Sequence, residues 1–166
     1  LRRGGSTGFP TLAEPRLIGV IADTHGLLRP QALAALAGAD QIIHAGDIGK
    51  RGIVEALAEV APVSAIRGNV DTAPWAAEYP ELLTLTLDGR RVHVLHDRKQ
   101  IDLIPGEAGI DVVVSGHSHR AGIERLDGVL YLNPGAAGPR RFRLPVTVAR
   151  LRLADPPEAE IVTLEV

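Results

Sequence analysis

Five apolar runs along this chain each give way to a side chain that can bind a metal. Leu17-Ile18-Gly19-Val20-Ile21-Ala22 leads into Asp23 and His25, and Gln41-Ile42-Ile43-His44-Ala45-Gly46 leads into Asp47. Val63-Ser64-Ala65-Ile66-Arg67-Gly68 leads into Asn69, and Val92-His93-Val94-Leu95 into His96. Asp111-Val112-Val113-Val114-Ser115-Gly116 leads into His117 and His119. Short apolar runs bounded by Gly and polar residues predict buried strands.

Between the first runs the period becomes helical. Pro30 to Gly38 starts with Pro and ends with Gly, and Ile53 to Val60 is amphipathic through Ile53, Val54, Leu57 and Val60. Asp71 to Pro80 reads as a loop and carries the only Trp, Trp75. Leu82 to Leu87 and Arg91 to Leu95 flank Asp88-Gly89, a strong hairpin signal. Ile101 to Ala108 predicts a short, Pro-interrupted helix. A second hairpin is expected over Gly122 to Leu132 around Asp127-Gly128, with closing strands at Val146 to Leu153 and Ile161 to Val166. A βαβαβ start and a β-rich end predict an α/β (α+β mixed) domain of two packed sheets with helices outside. Leu1 to Pro15 lacks periodicity and reads as a flexible leader, so residues 16–166 form the single expected domain.

Composition narrows the classes. An apolar fraction of 45% and a charged fraction of 23% are those of a globular chain. The net charge of −2 offers no global attraction to nucleic acid or anionic membrane, and no apolar run approaches the roughly 18–20 residues of a bilayer span. With no Cys, disulfides and thiolate metal sites are excluded, and a cytoplasmic location is the expectation.

Loops at the carboxyl ends of strands are where open α/β sheets place their sites. Seven O/N ligands on one such rim suffice for two metal ions. Asp23-Thr24-His25 and His117-Ser118-His119 repeat an i, i+2 spacing that puts both side chains on one side of an extended segment. A Gly precedes each of Asp47, Asn69 and His117, which allows close backbone approach to a bound ion or phosphate. Carboxylate, amide and imidazole donors suit transition metals, Mn first with Fe, Zn, Co or Ni as alternatives, better than Ca or Mg. Two ions about 3.5–4 Å apart need a shared ligand, for which Asp47 is the natural candidate. Water between them would be acidified to a hydroxide nucleophile. Alone, Asp-x-His carries little weight, and Gly-Asp and Gly-Asn are ordinary turn dipeptides. The weight lies in five runs ending alike.

In that order, Asp23-x-His25, Gly46-Asp47, Gly68-Asn69, His96 and Gly116-His117-x-His119 resemble the calcineurin-like metallophosphoesterase superfamily. Asp23-Thr24-His25-Gly26, Gly68-Asn69-Val70-Asp71 and Asn133-Pro134-Gly135 are similar to the small YfcE-type phosphodiesterases of bacteria and archaea. The resemblance runs from Arg16 to the C-terminus. It implies a four-layer αββα sandwich, a dinuclear Mn-type centre and hydrolysis of a small phosphoester substrate. It further implies that Asp23, His25, Asp47 and His119 hold one ion, that Asp47, Asn69, His96 and His117 hold the other, and that Asn69 touches the substrate phosphate. The family's His after the Asn, thought to assist the leaving group, is Val70 here, and the Gly-His that often follows the His96 position is Asp97-Arg98. Asp71 or metal-bound water are then the candidates for the leaving-group proton.

Two rival readings stand beside a phosphodiesterase. A protein-binding scaffold is one, because a eukaryotic retromer subunit resembles this family yet serves mainly as a platform. A nuclease is the other, although the chain has no aromatic stacking series and no strong basic face. A homodimer or homotetramer is a candidate assembly. Arg67, Arg98 and Arg120 adjoin ligands and are candidate substrate contacts, whereas Arg140, Arg141, Arg143, Arg150 and Arg152 read as exposed charges. His44 fits either a ligand support or a satisfied core His, His93 reads as structural, and Trp75 and Tyr79 fit either a pocket cap or packing.

Overall fold

A computed structural model describes residues 15–166, so the leader expected over 1–15 lies outside the described residues except for Pro15. The chain order is β1 (Leu17–Ile21), α1 (Pro30–Leu36), β2 (Gln41–His44), α2 (Arg51–Ala58), β3 (Val63–Ala65), β4 (Leu82–Leu87), β5 (Arg90–Leu95), β6 (Val112–Val114), β7 (Gly122–Leu126), β8 (Val129–Asn133), β9 (Thr147–Arg152) and β10 (Glu158–Thr163). They form two five-stranded sheets, β10-β9-β1-β2-β3 and β4-β5-β6-β8-β7. In the first, β1, β2 and β3 are parallel, β9 runs antiparallel to β1, and β10 runs antiparallel to β9. In the second, β5, β6 and β8 are parallel between antiparallel edges β4 and β7.

Strand alternation explains the layering. Ile18, Val20 and Ile43 point from the first sheet to Val92, Val94, Val112, Val114, Leu130 and Leu132 of the second, forming the inter-sheet core. Their neighbours Ile21 and Ile42 point the other way, onto Leu36 of α1 and Ile53 and Leu57 of α2. Each fully buried Ile or Leu contributes about 1.5–3 kcal/mol of hydrophobic stabilisation. The expected α/β sandwich of two sheets with outer helices is the observed architecture. Both predicted hairpins form, with Asp88-Gly89 at φ 51° and 75° and Asp127-Gly128 at φ 50° and 77°, the left-handed pair a type I′ turn requires.

Three elements differ from expectation. Residues 101–108 form no helix, because Pro105 and Gly106 interrupt the apolar pattern. After a 3₁₀ turn at Arg98–Gln100, Ile101, Leu103 and Ala108 instead lie against Leu95, Ile110, Val113 and Val129, so irregular chain covers that sheet's outer face. The last strand begins earlier than its apolar end suggested. Its alternating Glu158 and Glu160 pair in register with Arg152 and Arg150 of β9, and these charges hide the strand period. Asp71 to Pro80, read as loop, contains a short 3₁₀ helix at Pro74–Glu78. No helix among the described residues is long and apolar enough to cross a membrane.

Candidate metal centre

The carboxyl ends of β1, β2, β3, β5 and β6 deliver Asp23, Asp47, Asn69, His96 and His117. Beyond β1 and β2 the two loops stay paired: Asp23 N–H donates to the Gly46 carbonyl at 3.0 Å and His25 N–H to the Asp47 carbonyl at 2.9 Å. The two sheets are joined at the rim, where His117 N–H donates to Asp23 Oδ2 at 3.1 Å. Five of the seven predicted ligands sit in the left-handed region: Asp23 at φ 54°, His25 at 45°, Asp47 at 56°, His117 at 73° and His119 at 64°. Such backbone costs about 1–3 kcal/mol per residue and clusters at functional sites. Paired loops hold it in place here.

The side chains converge. Asp23 Oδ1 lies 3.6 Å from His119 Nε2, 3.7 Å from His96 Nε2 and 3.9 Å from His25 Nε2. Asp47 Oδ2 lies 3.1 Å from His96 Nε2 and 3.7 Å from His25 Nε2. Two ligand sets result, Asp23 with His25 and His119, and Asp23 with Asp47 and His96. Asp23 Oδ1, His25 Nε2, His96 Nε2 and His119 Nδ1 are buried without a hydrogen-bond partner. Buried polar atoms are normally paired. Four orphans among two carboxylates and three imidazoles fit a divalent cation well.

The electrostatics agree. Burial, reinforced by the Asp47 charge, pushes Asp23 up to about 7 against the opposing pull of His96. Burial also opposes ionisation of Asp47, yet its bond to His96 and that imidazole's charge hold it below the usual range. Burial alone would lower His96, but Asp47 and the Ala45 carbonyl outweigh it and raise it. Burial, then Arg141 and His25, lower His119 to about 4. Carboxylates and imidazoles divided this way are competing for positive charge.

The supports are specific. His96 Nδ1–H donates to the Ala45 carbonyl at 2.8 Å, which fixes the tautomer and leaves Nε2 bare toward Asp47. Asp47 Oδ1 accepts the Val70 N–H at 3.1 Å. A Cβ on Gly46 (φ 100°) would lie 2.6 Å from His96 Nδ1, and one on Gly68 would overlap the Asp47 carboxylate. His44 is fully buried and bridges the first two loops. Thr24 donates its hydroxyl to the Ile48 carbonyl at 2.8 Å and so accepts from His44 Nε2–H at 3.0 Å, while His44 Nδ1 accepts the Gly46 N–H at 3.1 Å. Burial accordingly lowers His44 to about 4.

His117 belongs to neither ligand set, and Asn69 joins it at the rim. Both are exposed and line, with His96, a cavity of about 390 Å³ at the rim. The His117 ring stands 5.2 Å from that of His96, and its Nε2 is 3.9 Å from Asp97 Oδ2. Asp71, the candidate for the leaving-group proton, is engaged by backbone. Its buried carboxylate accepts the N–H groups of Ile48 and Gly49 at 3.0 Å each and of Gly68 at 2.8 Å. A carboxylate that accepts three backbone donors pins the Asp47 and Asn69 loops together. Trp75 and Tyr79 pack edge to face in the helix-side core, and His93 bonds Thr84 Oγ1 at 2.9 Å. Arg67 is engaged by the Tyr79 carbonyl and Glu81. Sequence reasoning missed Thr24, although it stands between two ligands, and the backbone groups of Ala45 and Val70, which carry no sequence signal.

Residues 17–155 match the calcineurin-like phosphoesterase superfamily domain. A probable metallophosphoesterase of Methanocaldococcus jannaschii is 33% identical over 173 residues, spanning 96% of this chain and 87% of that protein. The structure of an archaeal phosphodiesterase superposes with a TM-score of 0.76 at 22% identity, covering 89% of this chain and 99% of the other. Vacuolar protein sorting 29 of Cryptosporidium parvum does so with a TM-score of 0.72 at 18% identity, covering 93% and 100%. The two structural likenesses establish a shared fold. Sequence and fold together lead to one conclusion: the chain belongs to the calcineurin-like phosphoesterase superfamily.

Proposed function

We propose that this protein is a metal-dependent phosphodiesterase that hydrolyses small phosphoesters at a dinuclear centre. The observation that carries the reading is the convergence of Asp23, His25, Asp47, His96 and His119 around four orphaned buried atoms. Asp23, His25 and His119 would hold one ion and Asp47 and His96 the other, with Asn69 and His117 completing the second from the rim. Asp47 faces both His25 and His96, which suits a bridge, and Asp23 belongs to both sets and shares that task. When bound, the ions supply an acidified water and polarise the phosphoryl oxygens. Manganese is the first candidate on donor chemistry.

The chain's own residues do the rest. His96 is held in one tautomer by Ala45, so its Nε2 stays a donor of electrons. Asp71 fixes the loop that presents Asn69 to the phosphate. Val70 places an apolar side chain where a proton donor would assist departure, so the reading favours esters with good leaving groups. The test is turnover of bis-p-nitrophenyl phosphate by the chain loaded in turn with Mn, Co, Ni and Zn. Turnover supports the phosphodiesterase; its absence with every metal favours a scaffold. A steep salt dependence of binding to an oligonucleotide would favour a nuclease.

A further inference from the structure

A second, larger cavity of about 620 Å³ lies beside the metal rim, and Asp97 and His117 belong to the walls of both. A substrate whose phosphate meets Asn69, His96 and His117 therefore has one contiguous place for its remaining substituent. Three cations line this space, Arg98, Lys99 and Arg120, against two carboxylates, Asp97 and Glu124.

Their engagement differs. The Arg98 guanidinium is stacked 4.1 Å over the Tyr131 ring and paired with Glu124 at 2.8 Å. Lys99 and Arg120 have no carboxylate partner among the described residues, while their backbones are pinned. Lys99 N–H donates to Asp97 Oδ1 at 3.0 Å and Arg120 N–H to Ser118 Oγ at 3.2 Å. Asn133 Nδ2 braces the same wall, donating to the Gly116 carbonyl at 3.0 Å and to Ser118 Oγ at 3.1 Å. A concave wall with two unpaired cations on fixed backbone, next to a phosphoester centre, is built for a second anion.

We infer that the preferred substrate is a phosphodiester whose substituent carries a second anionic group, such as a distal phosphate, bound by Lys99 and Arg120 in this cavity. The inference rests on the phosphodiesterase reading for its scissile phosphate but not for its binding signature. The test compares calorimetric binding of thymidine 3′,5′-bisphosphate and thymidine 5′-monophosphate to the Mn-loaded chain. The expected result is binding about tenfold tighter for the bisphosphate, the scale of one charge-assisted contact. That preference should vanish in the Lys99→Ala/Arg120→Ala double variant and largely survive in Arg120→Lys. Equal affinities in the wild type, or a preference that survives the double variant, would overturn the inference. Hydrolysis of bis-p-nitrophenyl phosphate, run in parallel, separates the two claims: a silent assay with an intact bisphosphate preference overturns the phosphodiesterase reading and upholds the anion subsite.

Discussion

His96 Nε2 lies 3.1 Å from Asp47 Oδ2, while the opposite nitrogen of the ring donates to the Ala45 carbonyl at 2.8 Å. One ring edge is thus spent on backbone, and the other presents a lone pair to a carboxylate. That arrangement is repulsive until a proton or a metal ion sits between them. Removing either partner should therefore act through metal occupancy. Asp47→Ala should empty both positions and cut turnover by about a thousandfold or more, since ions and their bound water carry most of the chemistry. His96→Ala should release mainly one ion per chain. Metal analysis after dialysis, with turnover measured on the same samples, checks both; variants that keep wild-type activity would sink the two-metal assignment.

Asp71 holds three backbone N–H groups from two ligand loops, so its loss should appear first in stability. Asp71→Ala should destabilise the chain by about 3 kcal/mol, each buried donor left unpaired costing about 1–3 kcal/mol before water compensates. Asp71→Asn keeps an acceptor oxygen and should recover part of this. Denaturant unfolding measures the cost. A leaving-group acid would give a different signature, loss of one limb of the pH–rate profile with stability unchanged.

Val70 gives its backbone N–H to Asp47 at 3.1 Å, and its side chain is exposed. With no proton donor there, and with Asp71 occupied, rates should depend steeply on the acidity of the leaving group across a series of aryl phosphodiesters. Val70→His should flatten the dependence by speeding poor leaving groups most. A flat dependence in the wild type would contradict the account.

His44 is buried neutral, and burial lowers it from the usual 6.5 to about 4. The unfolded chain takes up this proton on acidification before the folded chain does. The contribution is therefore full above pH 6.5 and is lost as pH falls from 6.5 through about 4. His44→Gln should lower stability at pH 7.5, by breaking the Thr24–His44–Gly46 chain, yet lose less further stability than wild type on going to pH 4.5. Paired unfolding curves at the two pH values read the difference; parallel losses would contradict it.

The strand ends were legible because side-chain chemistry stands directly after each apolar run. Asp23, His25, Asp47, His96 and His119 meet as their positions on the runs imply. What stayed hidden depends on long-range placement. Nothing near Asp71 in sequence announces that Ile48 and Gly49, more than twenty residues away, will present their N–H groups to it. The Ala45 carbonyl that orients His96 has no sequence identity at all. Residues 101–108 showed an apolar pattern of helical kind, but that pattern records only which residues are buried, and Pro105 with Gly106 decided the backbone. In β10, charges facing Arg150 and Arg152 masked the strand.

The central claim is that this rim binds two catalytic ions. It is tested most directly by stripping the chain with chelator, titrating Mn back, and following bound metal and bis-p-nitrophenyl phosphate hydrolysis in the same samples. The account predicts an inactive stripped protein and turnover that rises with occupancy to a plateau at two ions per chain. A folded chain that takes up no Mn, Co, Ni or Zn, or that fills to two ions and hydrolyses nothing, would contradict it.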